Sequence, residues 1–357
     1  MMRCVIAGGG TGGHIYPAVA LAERLGDAGP VAMLARPSSM EERVFHEHGL
    51  DVRLVESAPL LYTARALWKL ADSTRRGVRS ARQVLTDVHA DAFIGTGGYV
   101  SVPGILAAHE LGIPIYLLEQ NTVMGRANRL FAAQARHVFL GFPVEGLSGP
   151  RYPLTGNPLR RRVYGELVHR RGNPASATEL LFLGGSGGAT FINDVSVRTI
   201  RALDELGRSV TATVVTGTDE YVRVREEVDQ LTPGTVDAVI VPYEEHMERL
   251  YASSRAAVTR GGALALTELA VGGIYALTVP YPFAVGQHQA MNAAYVQGLG
   301  LGELFEQGSF DFDRFLVRLL RALDSDLVAP VRYEGTVFGQ DAGERIAKMI
   351  LEECGHG

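Results

Sequence analysis

The stretch AGGGTGGHIYP, residues 7–17, determines how the rest of the chain is interpreted. It separates the apolar run RCVIA (residues 3–7), typical of a buried β-strand, from IYPAVALAERL (residues 15–25), which has the spacing of an amphipathic helix. Glycines let the backbone approach a ligand closely, and the first N–H groups of the following helix favour an anion. The loop therefore suits a phosphate, a diphosphate or a developing negative charge. His14, at the loop–helix junction, can exchange a proton near neutral pH.

The same loop also fits a dinucleotide-binding fingerprint. Gly8, Gly10 and Gly13 satisfy G-x-G-x-x-G after a strand. That interpretation needs an acidic residue after the next strand, but residues 31–35 are followed by Arg36. Because an arginine could accept a 2′-phosphate, a nicotinamide-dependent oxidoreductase stays open as an alternative, as does a purely structural glycine turn.

Composition narrows the class of protein. The chain has 357 residues, 46% of them hydrophobic and 20% charged, which predicts about two globular domains. A net charge of −5 argues against general nucleic-acid binding. Cys4 and Cys354 form neither a zinc pattern nor a disulfide framework, which fits a reducing cytoplasm. With no membrane-spanning run and no signal peptide, we expect a protein that is cytosolic or bound peripherally to a membrane.

Strand-like and helical runs alternate along the chain, which predicts parallel sheets with right-handed crossovers. The segment at 155–179 is rich in Pro, Gly and Arg and reads as a linker. The strand–glycine loop–helix pattern then restarts with GGSGG at 184–188, where the Ser186 hydroxyl could contact a ligand oxygen. We therefore predict an α/β protein with two Rossmann-like, doubly wound parallel-sheet domains facing across a cleft. The predicted parts are residues 1–158, residues 159–340, and a last helix at 341–354 that packs back on the first domain.

The stretch TRGGALALTELAVGG, residues 259–273, is the most informative of the second half. A strand ends, two glycines turn the chain, and a helix opens at Ala263, so the N–H groups of Ala263 and Leu264 would face an anion. Glu268 follows about one helical turn later, where a carboxylate could bind vicinal hydroxyls such as those of a ribose. An ordinary surface glutamate is the alternative.

A cluster of amide and imidazole groups follows the next predicted strand. Within residues 279–293, a loop would carry Gln287, His288, Gln289 and Asn292. These groups suit a polyhydroxylated ligand such as a sugar. A helix start with solvated polar residues stays open.

Three polar residues end a strand of the first half. Glu119, Gln120 and Asn121 lie on the predicted sheet edge that also carries the loop of His14. Polar residues at the end of a buried strand favour a ligand role for at least one of them.

Two D-x-D patterns could suggest a metal-dependent sugar transferase. Asp311 and Asp313 precede a predicted helix, and Asp324 and Asp326 end it. We interpret Asp311 as a helix cap and expect no metal and no other cofactor.

A predicted helix at 62–88 carries basic residues on one side, with Trp68 among them. The basic residues are Arg65, Lys69, Arg75, Arg76, Arg79 and Arg82. Such a face could dock on anionic lipid headgroups, or it could be an ordinary solvated face.

Taken in order, these motifs resemble the MurG family of glycosyltransferase family 28. The motifs that carry the resemblance are GGGTGGHIYPA (8–18), GTGGYVSVP (95–103), LEQN (118–121), TGNPLR (155–160), GGSGGA (184–189), RGGALALTE (260–268) and HQAMNA (288–293). The resemblance implies the GT-B fold. It also implies inverting transfer of N-acetylglucosamine from UDP-GlcNAc to the 4-hydroxyl of the lipid-linked acceptor lipid I, in peptidoglycan synthesis at the cytoplasmic face of the plasma membrane. No nucleic acid is implied as a partner.

The resemblance also implies roles for particular residues. The second domain would hold UDP-GlcNAc, with Glu268 on the ribose and Gln289 on the sugar hydroxyls. Contacts to the nucleotide diphosphate region would come from Arg160, Ser186 and the amides of Ala263 and Leu264, and the substrate site would also include Ala265, Leu266 and Thr267. The first domain would hold the acceptor, lined by Thr11, Gly12, Gly13 and Asn121. His14 would be the catalytic base.

The sequence departs from the family pattern at several positions. These are Gly187 for glutamine, Tyr275 for proline, Gln287 for aspartate, and Glu244 where an apolar residue usually meets the uracil. Two further hypotheses therefore stay open: a related transferase for another lipid acceptor, and a catalytically silent nucleotide-sugar-binding protein.

Overall fold

Strands and helices alternate along the chain in the computed structural model, as the sequence predicts. The residues that the structure describes are 1–57, 64–172, 179–185, 188–231, 234–324 and 336–355, without the side chains of 64–72 and of residue 285. Two compact units are present, one of residues 1–161 with 340–357 and one of residues 162–339. Residues 159–161, which the sequence analysis assigned to the second domain, therefore belong to the first unit.

The first unit is built on a six-stranded sheet in the order β3-β2-β1-β4-β5-β6. All its strand pairs are parallel. The strands are β1 (Cys4–Ala7), β2 (Val31–Ala35), β3 (Asp51–Leu54), β4 (Ala92–Gly95), β5 (Ile115–Glu119) and β6 (His137–Leu140). The helices are α1 (Gly12–Leu25), α2 (Met40–Glu47), α3 (Ala64–Asp87), α4 (Ser101–Leu111), α5 (Arg126–Phe131) and α13 (Ala342–Cys354). Because apolar clusters cover both faces of the sheet, its central strands are buried apolar runs.

The last helix packs on this first sheet. Asp341 caps α13 by accepting hydrogen bonds from the N–H groups of Gly343 and Glu344. Ile346 and Ile350 of α13 belong to the apolar cluster that covers one face of the sheet. Arg24 of α1, whose side chain is 1% exposed, pairs with Asp341 at 2.7 Å. A sequence-distant helix thus completes the core of the first unit.

The second unit repeats the same design. Its sheet has the order β12-β11-β10-β7-β8-β9, which is the strand order of the first sheet counted from β7. The strands are β7 (Glu179–Leu183), β8 (Val210–Val215), β9 (Val236–Val241), β10 (Ser254–Thr259), β11 (Tyr275–Thr278) and β12 (Gly302–Leu304). The helices are α6 (Arg161–Gly172), α7 (Thr190–Glu205), α8 (Tyr221–Asp229), α9 (Met247–Ser253), α10 (Ala263–Gly272), α11 (His288–Gly298) and α12 (Phe312–Asp324). The prediction of two doubly wound parallel sheets is confirmed.

The segment predicted as a linker is largely a helix. Residues 161–172 form α6, whose Val163, Leu167 and Arg170 are buried. These three residues follow the i, i+4, i+7 spacing of a helix face, which the sequence analysis overlooked because only two of them are apolar.

Among the helices in the described parts of the chain, none combines the length and the apolar character needed to cross a membrane.

Candidate active site

Two glycine loops meet in the first unit where the strand order reverses. β1 and β4 are neighbours, and the loop of His14 follows β1 while the loop GTGG follows β4. In open parallel sheets, ligands bind outside the carboxyl ends of the strands at such a switch point. The Thr96 hydroxyl joins the loops by donating to the backbone oxygen of His14 at 2.7 Å.

The imidazole of His14 is held in one orientation. Its Nδ1 lies 3.2 Å from the carbonyl oxygen of Gly9 and 3.4 Å from the Thr11 hydroxyl. Because a carbonyl only accepts, the bond to Gly9 places the proton on Nδ1 and leaves Nε2 as the acceptor. Gly97, with φ of +105°, lies beside the ring, where a Cβ would come within 2.7 Å of His14 Cδ2. The absence of a side chain at Gly97 therefore leaves the space that the imidazole of His14 occupies.

Burial lowers the pKa of His14 below its ordinary value, although the charge of Glu119 and the hydrogen bond to Gly9 act in the opposite direction. At neutral pH the imidazole is therefore uncharged, and Nε2 carries a lone pair that can accept a proton. This is the state that a general base requires.

The N-terminus of α1 presents donors beside His14. Thr11 precedes the helix, and its carbonyl accepts hydrogen bonds from the N–H groups of His14 and Ile15. Gly12 and Gly13 open the first turn, where N–H groups have no partner within the helix and favour an anion. The structure brings the predicted residues Thr11, Gly12, Gly13 and His14 together.

Arg160 belongs to the first unit and not to the second domain in which the predicted boundary placed it, and its contact with the nucleotide diphosphate stays a prediction. Its guanidinium stacks over the ring of Tyr16 in α1, at 4.8 Å from the ring centre. Residues 155–161 follow β6 and belong to the first unit, which the Pro- and Gly-rich composition of this segment did not indicate.

The E-Q-N segment is mainly structural. Glu119 is 2% exposed and accepts hydrogen bonds from the N–H of Gly125 at 2.7 Å and from Asn128 Nδ2 at 2.9 Å. Gln120 is also buried and donates to the carbonyl of Thr96 at 2.5 Å. Asn121, half-buried, is oriented by Glu119, which accepts from its N–H at 3.1 Å. Of the three, Asn121 remains the candidate ligand residue.

A cavity of about 530 Å³ lies at the corresponding switch point of the second unit. Its lining includes the glycines after β7, the start of α7, residues at 259–265, and the side chains of Tyr281, Gln289 and Gln307. Of the predicted donor residues, Ala265 and Gln289 line it directly. Ser186 and Gly187 lie outside the described residues.

Helix α10 points its N-terminus at this cavity. Its first N–H groups, on Ala263, Leu264 and Ala265, have no partner within the helix, whereas the N–H of Leu266 bonds to the carbonyl of Gly262 at 3.0 Å. Leu266 and Thr267 are buried, and the Thr267 hydroxyl donates to the carbonyl of Ala263. These polar groups are hydrogen-bonded inside the helix, and the role of Leu266 and Thr267 in substrate binding stays a prediction.

Glu268 follows Ala265 by three residues and thus shares its face of the helix. The side chain is half-buried, and its Oε2 accepts a hydrogen bond from the Tyr251 hydroxyl at 2.7 Å. The two oxygens of a carboxylate offer about four acceptor sites, so Tyr251 orients the group and does not use its whole capacity.

The predicted polar loop at 287–292 is instead a 3-10 turn at Val285–Gln287 followed by α11. Gln289 Oε1 accepts from the N–H of Tyr281, and buried Asn292 donates to the carbonyl of Gly261 at 3.0 Å. The helix-start alternative is thus correct for the backbone, and Asn292 holds the GG turn.

Arg260 is a cavity residue that the sequence analysis missed. Its Nη1 donates to the carbonyl of Val279 at 3.0 Å and to Gln307 Oε1 at 2.7 Å. Burial lowers the pKa of Arg260, but a guanidinium stays protonated at neutral pH. No carboxylate of the described residues pairs with it, so its charge is available to an anion in the cavity. Its position directly after a strand and before two glycines was the available signal.

Three of the four departures from the family pattern lie among the described residues. Glu244 accepts from the N–H of His246 at 2.6 Å, just before α9. Tyr275 is buried at the start of β11, the opposite end of the strand from the cavity. Gln287 has a positive φ of 54° immediately before α11. Asp311 caps α12, as predicted, by accepting from the N–H groups of Asp313 and Arg314.

Comparison with known proteins gives the class. The glycosyltransferase family 28 N-terminal domain matches residues 4–140, and the family 28 C-terminal domain matches residues 179–329. A protein of Acidithiobacillus ferrooxidans, named UDP-N-acetylglucosamine–N-acetylmuramyl-(pentapeptide) pyrophosphoryl-undecaprenol N-acetylglucosamine transferase, is 33% identical over 99% of this chain and 98% of its own length. A protein of the same name from Methylococcus capsulatus is 33% identical over 99% of both chains.

Solved structures agree. The crystal structure of Acinetobacter baumannii MurG has a TM-score of 0.77 and 25% identity, covering 98% of this chain and 99% of that one. The calicheamicin glycosyltransferase CalG4, at 16% identity and a TM-score of 0.68, covers 100% of this chain and 99% of its own and shares the fold. The two sheets and their sites thus define a GT-B glycosyltransferase. The chain belongs to the MurG family of glycosyltransferase family 28.

Proposed function

We propose that the chain transfers N-acetylglucosamine from UDP-GlcNAc to the 4-hydroxyl of the N-acetylmuramyl residue of undecaprenyl-pyrophosphoryl-MurNAc-pentapeptide (lipid I), which produces lipid II for peptidoglycan. The observation that carries the proposal is the pair of switch-point sites, one with a neutral histidine and one with an uncompensated arginine. The names of the curated relatives supply the two substrates.

The cavity of the second unit holds the donor in this proposal. The diphosphate lies against Arg260 and the N–H groups of Ala263, Leu264 and Ala265, where positive charge is concentrated. Glu268 accepts hydrogen bonds from the ribose, and Gln289 contacts the sugar hydroxyls. Ser186 is proposed at the diphosphate on the family resemblance alone.

The site of the first unit holds the acceptor. The lipid-linked diphosphate lies at Gly12 and Gly13, with Thr11 and Asn121 beside it, and Arg160 over Tyr16 supplies a cation near the same helix end. His14 Nε2 takes the proton of the acceptor's 4-hydroxyl as its oxygen attacks the anomeric carbon. The bond from that carbon to the phosphate oxygen breaks, UDP leaves, and the anomeric centre inverts to give a β-1,4 linkage. Arg260 and the N–H groups of α10 offset the charge on UDP, so the mechanism uses no metal.

The test is incubation with labelled UDP-GlcNAc and a short-chain lipid I analogue, with and without EDTA. We expect transfer in both conditions. Binding of UDP-GlcNAc without transfer would indicate a silent nucleotide-sugar-binding protein, and transfer only to another lipid acceptor would indicate a related transferase. Loss of activity in EDTA would contradict the metal-free mechanism.

The nicotinamide alternative is not favoured. Arg36, the residue that could accept a 2′-phosphate, donates to the buried carboxylate of Glu41 at 2.9 Å instead. In the second unit, Arg260 and Gln289 line a cavity of about 530 Å³.

Glu268→Ala is expected to weaken binding of UDP roughly 10–100-fold, because hydrogen bonds to a charged group contribute about 1.5–3 kcal/mol. Isothermal titration calorimetry with UDP measures this directly. Glu226→Ala, on the exposed surface of α8, is the matched control and should bind UDP as the native protein does. Unchanged UDP binding by Glu268→Ala would remove Glu268 from the ribose site.

We also propose that α3 docks on anionic lipid at the cytoplasmic face of the plasma membrane. Arg75, Arg79 and Arg82 are exposed and follow an i, i+4, i+7 spacing, which places them on one side of the helix. Arg76 is exposed too and pairs with Glu56 at 2.8 Å. The side chains of Arg65, Trp68 and Lys69 lie outside the described residues.

Arg75→Glu with Arg79→Glu is expected to weaken binding to anionic liposomes about 10–100-fold, since each basic residue contributes about 1 kcal/mol near such a surface. Co-sedimentation with anionic and with zwitterionic vesicles measures the difference. The control is Arg43→Glu with Arg151→Glu, two exposed arginines elsewhere in the first unit. Equal binding by both double variants would leave the basic side of α3 as a solvated surface.

A further inference from the structure

A buried carboxylate next to the His14 loop has no part in the mechanism described above. Glu41, in the first turn of α2, is 0% exposed. Ionised groups are rarely buried unless they are paired and hydrogen-bonded, so its surroundings call for an explanation.

Glu41 and His14 are hydrogen-bonded to the same peptide group. The N–H of Gly10 donates to Glu41 Oε2 at 3.4 Å, and the carbonyl of Gly9 accepts from His14 Nδ1 at 3.2 Å. The Gly9 carbonyl and the Gly10 N–H are the two ends of one planar amide. A continuous line of hydrogen bonds therefore runs from the carboxylate through this amide to the imidazole.

The hydrogen bonds that link Glu41 to His14 require glycine at positions 9 and 10. A Cβ on Gly9 would lie 2.8 Å from Glu41 Cδ, so the carboxylate packs directly on the loop backbone. Gly10 has a φ of +87°, which L side chains rarely adopt. The backbone is thus shaped so that the amide lies between the two side chains.

The carboxylate is charged. Arg36 Nε donates to Glu41 Oε1 at 2.9 Å, and its guanidinium lies 4.9 Å from the centre of the Tyr99 ring. Burial raises the pKa of Glu41, but the hydrogen bonds from Arg36 and the backbone outweigh it and leave the pKa below its ordinary value. The charged group that raises the pKa of His14 directly is Glu119 of β5.

We propose that Glu41 is a positioning residue for His14, acting through the Gly9–Gly10 peptide. The carboxylate polarises the amide, which strengthens the Gly9 carbonyl as an acceptor for the Nδ1 proton. That bond fixes the tautomer with Nε2 unprotonated, holds the ring in its slot and makes Nε2 more basic. The catalytic consequence rests on the proposed role of His14 as the base, whereas the effect on the imidazole itself does not.

The test is Glu41→Gln, which keeps the size of the side chain and removes its charge. Nitrogen-15 NMR of His14 in the free protein is expected to show a loss of the Nδ1-protonated tautomer and a lower pKa. In the transfer assay, kcat is expected to fall roughly 10-fold, with the acid limb of the pH profile moved to lower pH and with UDP-GlcNAc binding unchanged. Glu47→Gln, an exposed carboxylate of the same helix, is the control and should match the native protein in every measurement.

Glu41→Asp is the second variant in case Glu41→Gln fails to fold, because it keeps a charge that can pair with Arg36 but shortens the reach to Gly10. It should show an intermediate tautomer shift. If a folded Glu41 variant keeps the native tautomer and pKa of His14, the proposal is wrong, whatever its activity. If the NMR changes appear but no transfer to lipid I occurs in the native protein, the proposed function fails and the role of Glu41 stands.

Discussion

Replacing His14 by alanine is expected to lower kcat by roughly 10²–10⁴-fold, the usual contribution of a general base. Binding of UDP-GlcNAc should not change, because the donor cavity is built from the other unit. We expect the fall in kcat because the imidazole is in the state of a general base. Its Nδ1 is bonded to the Gly9 carbonyl and burial lowers its pKa, so Nε2 can accept a proton at neutral pH. Steady-state kinetics and donor titration calorimetry measure the two quantities separately.

His109→Ala, which removes an exposed histidine from α4, is the matched control and should retain native kcat. Added imidazole is expected to restore part of the activity of His14→Ala, since the slot beside Gly97 is left vacant. In the native protein the acid limb of kcat/KM should lie below the pKa of a solvent-exposed histidine. A native kcat in His14→Ala would assign the base to another group.

Replacing Arg170 by leucine is expected to destabilise the second unit by about 3–5 kcal/mol, which is the range for removing one partner of a buried charged network. Arg170 is 4% exposed, and its guanidinium donates to the carbonyls of Gly272 at 2.7 Å, Gly273 at 2.8 Å and Ser254 at 2.6 Å. Two of these carbonyls lie at the C-terminal end of α10, where a cation also complements the helix dipole. Without Arg170, three buried carbonyls lose hydrogen bonds to a charged donor, each of which contributes about 1.5–3 kcal/mol and which do not add in full. Denaturant unfolding measures the loss.

Arg170→Lys keeps the charge but lacks the forked donors, so it should fall between the native protein and Arg170→Leu. Arg201→Leu removes an exposed arginine from α7 and should leave the unfolding midpoint unchanged. If Arg170→Leu unfolds at the native midpoint, the three hydrogen bonds do not stabilise the unit. UDP binding at low temperature, where the variant is folded, separates loss of stability from damage to the donor cavity beside α10.

The positions of the two candidate sites could be predicted from the sequence because they depend on local patterns. A glycine loop between an apolar strand and a helix occurs after β1 and again after β7, and the GG turn precedes α10 in the same way. Glycine in these loops is required by the local backbone geometry, and the anion site is provided by the N–H groups at the start of the next helix. Both can be predicted without tertiary contacts. His14, Ala263 and Glu268 could therefore be singled out without any knowledge of tertiary contacts.

The errors and omissions involve residues whose role depends on distant partners. Arg160 was placed in the second domain, although it belongs to the first unit and stacks on Tyr16, 144 residues earlier in the chain. The sequence did not single out Arg260, because only the fold shows that its guanidinium lines the cavity of the second unit. Glu41 was not singled out, because its contact with Gly10 joins residues 31 positions apart.

The sequence by itself determined the fold class and the repeat of one strand–loop–helix design in both halves, because periodicity and glycine positions are local properties. It also indicated the family, through the resemblance of its motifs. The tertiary structure decided which polar groups are free for substrates and which are used internally. Glu41 meets Gly10 across 31 residues, and Arg170 meets Gly272 across 102. Such pairs form because burial removes water as the competing partner, and the fold decides which groups are buried together.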